Sequence, residues 1–152
     1  EVVLEAQLAA LAAAKPGATF AKLQERAAQV ITQGLLDLGI LSGSYSEHWE
    51  QASYRRFFIH GLGHWLGLDV HDVCTYERAG EAVTFAENMV LTVEPGIYIP
   101  RSMDDVHPRW HDIGIRIEDD IVITRTGCDN LTAATPKTVA EIEAWIQSSR
   151  AQ

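Results

Sequence analysis

Cysteine is nearly absent. Cys74 and Cys128 are the only two, far apart, and they suit no zinc-binding spacing. Free thiols in a reducing compartment are the expectation, and with them a cytoplasmic protein. No apolar run reaches the ~18 residues of a membrane span, and no secretory leader is visible. Basic residues are scarce: 12 Lys and Arg stand against 21 Asp and Glu, for a net charge of −9. Arg55-Arg56 is only a pair, so the clustered cations that a nucleic-acid surface needs are missing. Internal repeats are lacking too, and the only biased segment is the Ala-rich start. An initiator Met is also missing. The chain opens on Glu1-Val2-Val3-Leu4, apolar and without a helix cap, which reads as a cut.

What is present fits one globular domain. The chain has 152 residues, 47% hydrophobic and 22% charged, enough for a real core. Residues 1–14 read as a helix on propensity, broken by Lys15-Pro16-Gly17. Thr19 is a candidate N-cap for a second helix. Its apolar positions Phe20, Leu23, Ala27, Val30, Ile31, Leu35 and Leu38 step by three and four, and Gly39 is a C-terminal stop. Both helices read as packing elements. Residues 41–56 read as a polar connection, with His48 a solvated loop histidine beside Glu47 and Glu50.

The densest signal is residues 57–73, FFIHGLGHWLGLDVHDV. Three histidines, His60, His64 and His71, are threaded through glycines and large apolar side chains. Polar rings in such a setting need partners, and neutral imidazole is the commonest metal ligand. His60 and His64 are four apart, as in zinc proteases of the HExxH kind. That reading fails, because no Glu follows His60, and Gly61 and Gly63 disfavour a helix interior. An extended or turning segment is expected instead, with glycine letting the backbone approach a ligand.

Residues 73–87 read as a polar loop. Residues 90–99, VLTVEPGIYI, read as a strand interrupted by Pro95-Gly96, with Glu94 held extended by the following proline. A carboxylate in that apolar run must be neutral, paired or metal-bound. After a mixed loop over 100–112 with His107, Trp110 and His111, residues 114–123 read as another strand. Alternation there sets Ile115 and Ile117 on one face and Arg116 and Glu118 on the other, and Asp119-Asp120 marks a bulge or bend. Residues 124–135 read as loop. Thr138 and Glu141 form a capping-box pattern for a last helix through Trp145.

The candidate chemical set is therefore His60, His64, His71, Glu94 and Glu118. Mixed imidazole and carboxylate suits Zn, Mn, Co or Fe better than Ca. The plain alternative is that the histidines are satisfied core residues and that Glu94 and Glu118 pair with Arg116 and another cation.

Three motifs, HGLGHWLGLDVHDV (60–73), MVLTVEPGIYI (89–99) and GIRIEDDIVIT (114–124), resemble the metal-binding part of Xaa-Pro aminopeptidase (aminopeptidase P). This is one of the pita-bread metallopeptidases, a group that includes prolidase, methionine aminopeptidase and creatinase. The resemblance extends over essentially the whole chain. It implies an α+β fold, a partial pita-bread: a curved antiparallel sheet flanked by helices. By resemblance the chemistry is metal-dependent hydrolysis of the N-terminal Xaa-Pro bond at a dinuclear site with a bridging hydroxide. His64 would be a metal ligand, Glu118 a carboxylate bridging both ions, and Glu94 both ligand and general acid/base. His60 and His71 would line the substrate pocket, and Arg116 would orient the carboxylates. The metals would be two divalent ions, Mn2+ with Co2+ or Zn2+ as substitutes. The partner would be a peptide with proline second, with Trp65 and Tyr98 as candidate pocket walls, and the assembly a homo-oligomer. Neither nucleic acid nor membrane is an expected partner.

One departure qualifies the resemblance. The family takes two more ligands from upstream aspartates, and the carboxylates before Phe57 (Glu1, Glu5, Glu25, Asp37, Glu47 and Glu50) include no such pair. Residues 1–152 are thus expected to be the C-terminal portion of the catalytic domain. Alone, they should bind at most one ion, weakly, and be nearly inactive. The alternatives are a prolidase-type dipeptidase and a non-catalytic truncated module.

Overall fold

The computed structural model describes residues 1–150. Helix α1 spans Val2–Ala13, and its inward positions Val3, Ala6, Gln7 and Ala10 repeat every three or four residues. It lies against α2, Phe20–Asp37, which buries Leu23, Ala27, Ile31 and Leu35 completely. The Thr19 side chain accepts the Lys22 N–H, fulfilling the cap expected there. Gly39, at φ +69°, ends the helix in the left-handed conformation that glycine adopts without strain.

Residues 41–56 depart from the polar loop expected of them. They form α3, Tyr45–Glu50, and a 3-10 turn, Ser53–Arg56. The signal was the sequence Ser44-Tyr45-Ser46-Glu47. Ser44 accepts from Glu47 N–H and the Glu47 carboxylate accepts from Ser44 N–H, a full capping box. His48 is accordingly a half-buried helical residue. Its ring lies 3.0 Å from Ser53 Oγ and 3.1 Å from the Ser42 carbonyl.

The strands are β1 (Glu77–Arg78), β2 (Glu81–Ala82), β3 (Val90–Val93), β4 (Gly96–Ile99), β5 (Ile113–Arg116), β6 (Asp119–Ile123) and β7 (Cys128–Asn130). The short β1–β2 hairpin and β7 lie in segments read as loop. β3 pairs antiparallel with β6, from Val90↔Val122 to Val93↔Asp119. β4 pairs antiparallel with β5, from Gly96↔Arg116 to Ile99↔Ile113. The two ladders are successive lengths of one two-chain ribbon. Both chains leave the first ladder together, Glu94-Pro95 on one and Ile117-Glu118 on the other, and re-pair beyond. Among the described residues, the one backbone bond that crosses the gap is from the Ile117 N–H to the Pro95 carbonyl, 3.3 Å. Pro95 offers no N–H to a ladder, which accounts for a break at this place.

This corrects the sequence reading of the carboxylates. Glu94 and Glu118 do not sit within strands but at the break between them. The interruption in the second strand falls at Ile117-Glu118, two residues earlier than the Asp119-Asp120 bend expected.

Leu91, Val93, Ile97, Ile99, Ile121 and Ile123 of the ribbon join Phe57, Phe58 and the inner faces of α1 and α2 in one core cluster. The last helix, α4, spans Val139–Arg150, beyond Trp145, and is capped by Thr138 and Glu141 as its sequence promised. Its apolar residues Val139, Ile142, Trp145 and Ile146 are exposed. The whole is α+β with antiparallel pairing, as expected.

Candidate metal centre

The histidine stretch is extended, as its glycines suggested. It runs beside β3 on the edge away from β6. Leu66 N–H binds the Val90 carbonyl at 3.1 Å, Thr92 N–H the His64 carbonyl at 2.9 Å, and Glu94 N–H the Leu62 carbonyl at 2.6 Å. Gln24 of α2 anchors its start, accepting from Leu62 N–H at 2.6 Å. Gly63 is there because the two backbones nearly touch. A Cβ on it would lie 1.9 Å from the Thr92 carbonyl oxygen. These bonds bring His64 from one chain beside Glu94 of the next, while the ribbon's break sets Glu118 opposite Glu94.

His64, Glu94 and Glu118 each offer one ligand atom, and the three atoms lie within 4.8 Å of one another. His64 Nε2 is 3.4 Å from Glu94 Oε1. The His64 Nδ1–H donates to the Trp65 carbonyl at 2.9 Å, since a carbonyl can only accept. In the neutral ring Nε2 therefore keeps its lone pair and aims it at the carboxylates. Thr92, which the sequence reading passed over, ties the group together. Its Oγ1 accepts from His64 N–H at 3.0 Å and donates to Glu94 Oε1 at 3.2 Å.

The electrostatics point the same way. Partial desolvation first, then the negative charges of Glu94 and Asp120, push the Glu118 carboxyl above its usual range, against the pull of Arg116 and His64. Arg116 Nη1 stands 3.5 Å from Glu94 Oε2, so the alternative of a carboxylate–arginine pair is partly realised. Its stronger bond, however, runs from Nε to the Tyr98 hydroxyl at 2.7 Å. Three acceptors converge with a single guanidinium at their rim. That donor set fits a divalent cation.

The other expected residues surround this group. His60 Nδ1–H donates to the Gly61 carbonyl at 2.8 Å, leaving Nε2 to accept from the Tyr98 hydroxyl at 3.0 Å. Tyr98 thus joins Arg116 to His60, a more specific position than the pocket wall suggested for it. His71 is exposed, its ring centre 4.2 Å from that of His64. Trp65 turns the other way. It is buried against Phe20 and Phe85, and its indole N–H binds the Thr75 carbonyl at 3.2 Å, so it is a core residue and not a pocket wall. His107 and His111 serve the 100–112 loop: His107 Nδ1 accepts from Arg109 N–H, and His111 Nε2–H donates to the Val106 carbonyl.

Comparison with known proteins places this geometry in context. The description "Metallopeptidase family M24" matches residues 1–125. Over 143 residues the chain is 47% identical to a Xaa-Pro aminopeptidase of Haemophilus influenzae, covering 94% of this chain and 33% of that protein. It is 45% identical over 152 residues to the Xaa-Pro aminopeptidase of Escherichia coli K12, covering 100% and 34%. The solved structure of Pseudomonas aeruginosa aminopeptidase PepP superposes with TM-score 0.94 at 46% identity, over 99% of this chain and 34% of that one. Escherichia coli aminopeptidase P with the inhibitor Pro-Leu gives 0.92 at 45%, again over 99% and 34%. The chain spans about a third of the length of the curated relatives it matches.

Proposed function

We propose, because the chain belongs to metallopeptidase family M24, that it supplies part of the catalytic centre of a metal-dependent aminopeptidase. The bond cleaved is the one between an N-terminal residue and a following proline. The observation that carries the proposal is the convergence of His64, Glu94 and Glu118 donor atoms within 4.8 Å. The family implies divalent ions. We assign two, Mn2+ by preference; His64 and Glu94 would be ligands, and Glu118 would be the carboxylate shared between the ions. Such ions supply an activated water and polarise the scissile carbonyl.

The chain's own side chains would do the rest. Glu94, held by Thr92 and faced by Arg116, takes the proton of the attacking water at Oε and returns it to the leaving proline nitrogen. That nitrogen leaves a tertiary amide and needs a proton to depart as an amine. The exposed ring of His71, beside His64, is available to hydrogen-bond the peptide at the scissile bond. His60 is oriented from behind by Tyr98, which Arg116 orients in turn, so the pocket wall and the carboxylate share one guanidinium.

Three ligands do not fill two coordination spheres. Two aspartates from outside residues 1–152 would complete them, which agrees with relatives about three times as long. Residues 1–152 are, in this reading, the C-terminal portion of the catalytic domain, and the complete protein is a homo-oligomer acting in the cytoplasm. Among the described residues no helix is long and apolar enough to cross a membrane.

Titrating Mn2+ into this chain and into its His64→Ala variant tests the assignment. Binding that disappears with His64 supports it, and binding indifferent to His64 overturns it. In a chain that also carries the missing ligands, a Xaa-Pro-Xaa tripeptide should turn over faster than a Xaa-Pro dipeptide. The reverse preference would make the protein a dipeptidase of the prolidase type.

A further inference from the structure

Asp119 is 1% exposed, one residue past Glu118, and no chemistry so far described uses it. Its carboxylate is held from three directions. Gln7 Nε2, from α1 and 112 residues away in sequence, donates to Oδ2 at 2.8 Å. The Thr132 hydroxyl donates to Oδ1 at 2.7 Å, and the Lys137 ammonium lies 2.9 Å from the same oxygen. Lys137 spends its other hydrogens on the carbonyls of Thr132 and Thr135, both at 3.0 Å. Thr132 Oγ1 also accepts the Asp120 N–H at 3.0 Å. The side chain of residue 119 and the backbone of residue 120 are thus clamped by one hydroxyl.

The location gives this clamp its meaning. Asp119 pairs with Val93 in the β3–β6 ladder, and that pair is the last rung before the ribbon breaks. The next residue outward on one chain is Glu94, and on the other Glu118. Whatever fixes that rung fixes the distance between the two carboxylates. Beyond it the β3–β6 ladder braces neither. Glu94 is held further by the Leu62 carbonyl and the Thr92 hydroxyl, Glu118 among the described residues by no such bond, and their like charges oppose close approach.

We propose that Asp119 is the positioning residue of the Glu94–Glu118 pair, holding the last ladder rung so that both carboxylates reach one cation. This rests on the metal-centre reading above. It adds a dependence of metal affinity on α1, on Thr132 and on Lys137, none of which offers a ligand.

The test is a Mn2+ titration of this chain followed by electron paramagnetic resonance, with circular dichroism as the check on folding. Thr132→Val removes the clamping hydroxyl at nearly constant shape, and Thr132→Ser keeps it. Thr132→Val should bind Mn2+ about tenfold more weakly and broaden its spectrum, the low end of the effect of losing a group that orients metal ligands. Thr132→Ser should bind as the parent does. The double variant Asp119→Ala/Lys137→Met removes acid and base together, leaving no lone buried charge, and should lose about 10–100-fold. If it fails to fold, the valine and serine pair decides. A folded Thr132→Val protein with parental affinity and spectrum overturns the proposal. Glu118→Gln is the control that separates the two claims. If it abolishes binding while the clamp variants do not weaken it, Asp119 has no positioning role. If it leaves binding unchanged, the metal-centre reading falls and this inference with it.

Discussion

Nε2 of His64 stands 3.4 Å from Oε1 of Glu94, two residues brought together across a pair of neighbouring extended chains. The ring's other nitrogen is committed to the Trp65 carbonyl. With a cation Nε2 and Oε1 both become ligands. Replacing His64 by Ala should therefore weaken Mn2+ binding by more than about 100-fold, beyond the usual loss from removing a group that merely orients a ligand. Calorimetric titration should find at most one weakly held ion per parent chain. Two tightly held ions would contradict the three-ligand count.

Gly63→Ala should remove the same binding without altering a ligand. Its new methyl group would sit 1.9 Å from the Thr92 carbonyl oxygen, which is backbone and cannot swing aside. The strand beside β3 must move, and His64 moves with it. Overpacking of this kind costs about 1–3 kcal/mol, and a clash against backbone belongs at or above the upper end. Urea denaturation with a parallel Mn2+ titration measures both effects. A stable Gly63→Ala protein with parental affinity would show that the close approach is dispensable.

Glu118→Gln should invert an order. Desolvation and the neighbouring Glu94 and Asp120 charges hold the folded-state carboxyl above its usual range. Ionising it therefore costs the metal-free fold stability as pH rises from the unfolded value, near 4.3, through the raised folded value. At neutral pH the amide escapes that cost. Glu118 is largely exposed, so the gain is small, roughly 0.2–1 kcal/mol. Added Mn2+ should raise the melting temperature of the parent and not of the variant. Calorimetric scans should show the variant more stable than the parent without Mn2+ and less stable than the parent with it.

Much of this was legible in the residues, for identifiable reasons. The cap at Thr19 and the Thr138–Glu141 box are enforced by local hydrogen bonds, the stripe from Leu23 to Leu35 by the helical period of one buried face, and the Pro95 interruption by a missing N–H donor. The chain beside β3 was foreseeable as extended, because Gly61 and Gly63 argue against helix. What stayed hidden was either overlooked locally or long-range. The Ser44–Glu47 box was present and unread, so α3 was missed. Thr92 looks like an ordinary strand residue, and Tyr98 like no more than a pocket wall, until register sets one beside His64 and the other between Arg116 and His60. The short β7 has no periodicity of its own and exists because β6 offers it an edge. Asp119 looked like a bend marker. Only the arrival of Gln7, 112 positions away, reveals it as an anchor.

Asp119 should also dominate the acid limit of stability. Burial alone would push its carboxyl up, but the bonds from Gln7, Thr132, Lys137 and Asn130 outweigh burial and hold it below the usual range. A folded-state value below the unfolded value, near 3.9, means that the ionised clamp stabilises the fold fully above about pH 3.9. That contribution is lost as pH falls through the depressed folded value. Asp119→Asn has no such proton to take up, and it leaves the half-buried Lys137 ammonium without a counter-charge. At neutral pH the variant should be less stable by roughly 3–5 kcal/mol, as when one partner of a buried ion pair is removed. Below pH 3.9 the gap should narrow, because the parent's aspartate is then protonated and loses the same pairing. Urea denaturation of both proteins from pH 2 to 7 measures the two curves. Parallel curves would mean that the Asp119 charge does not set the acid limit, and that the clamp works through shape and neutral hydrogen bonds alone.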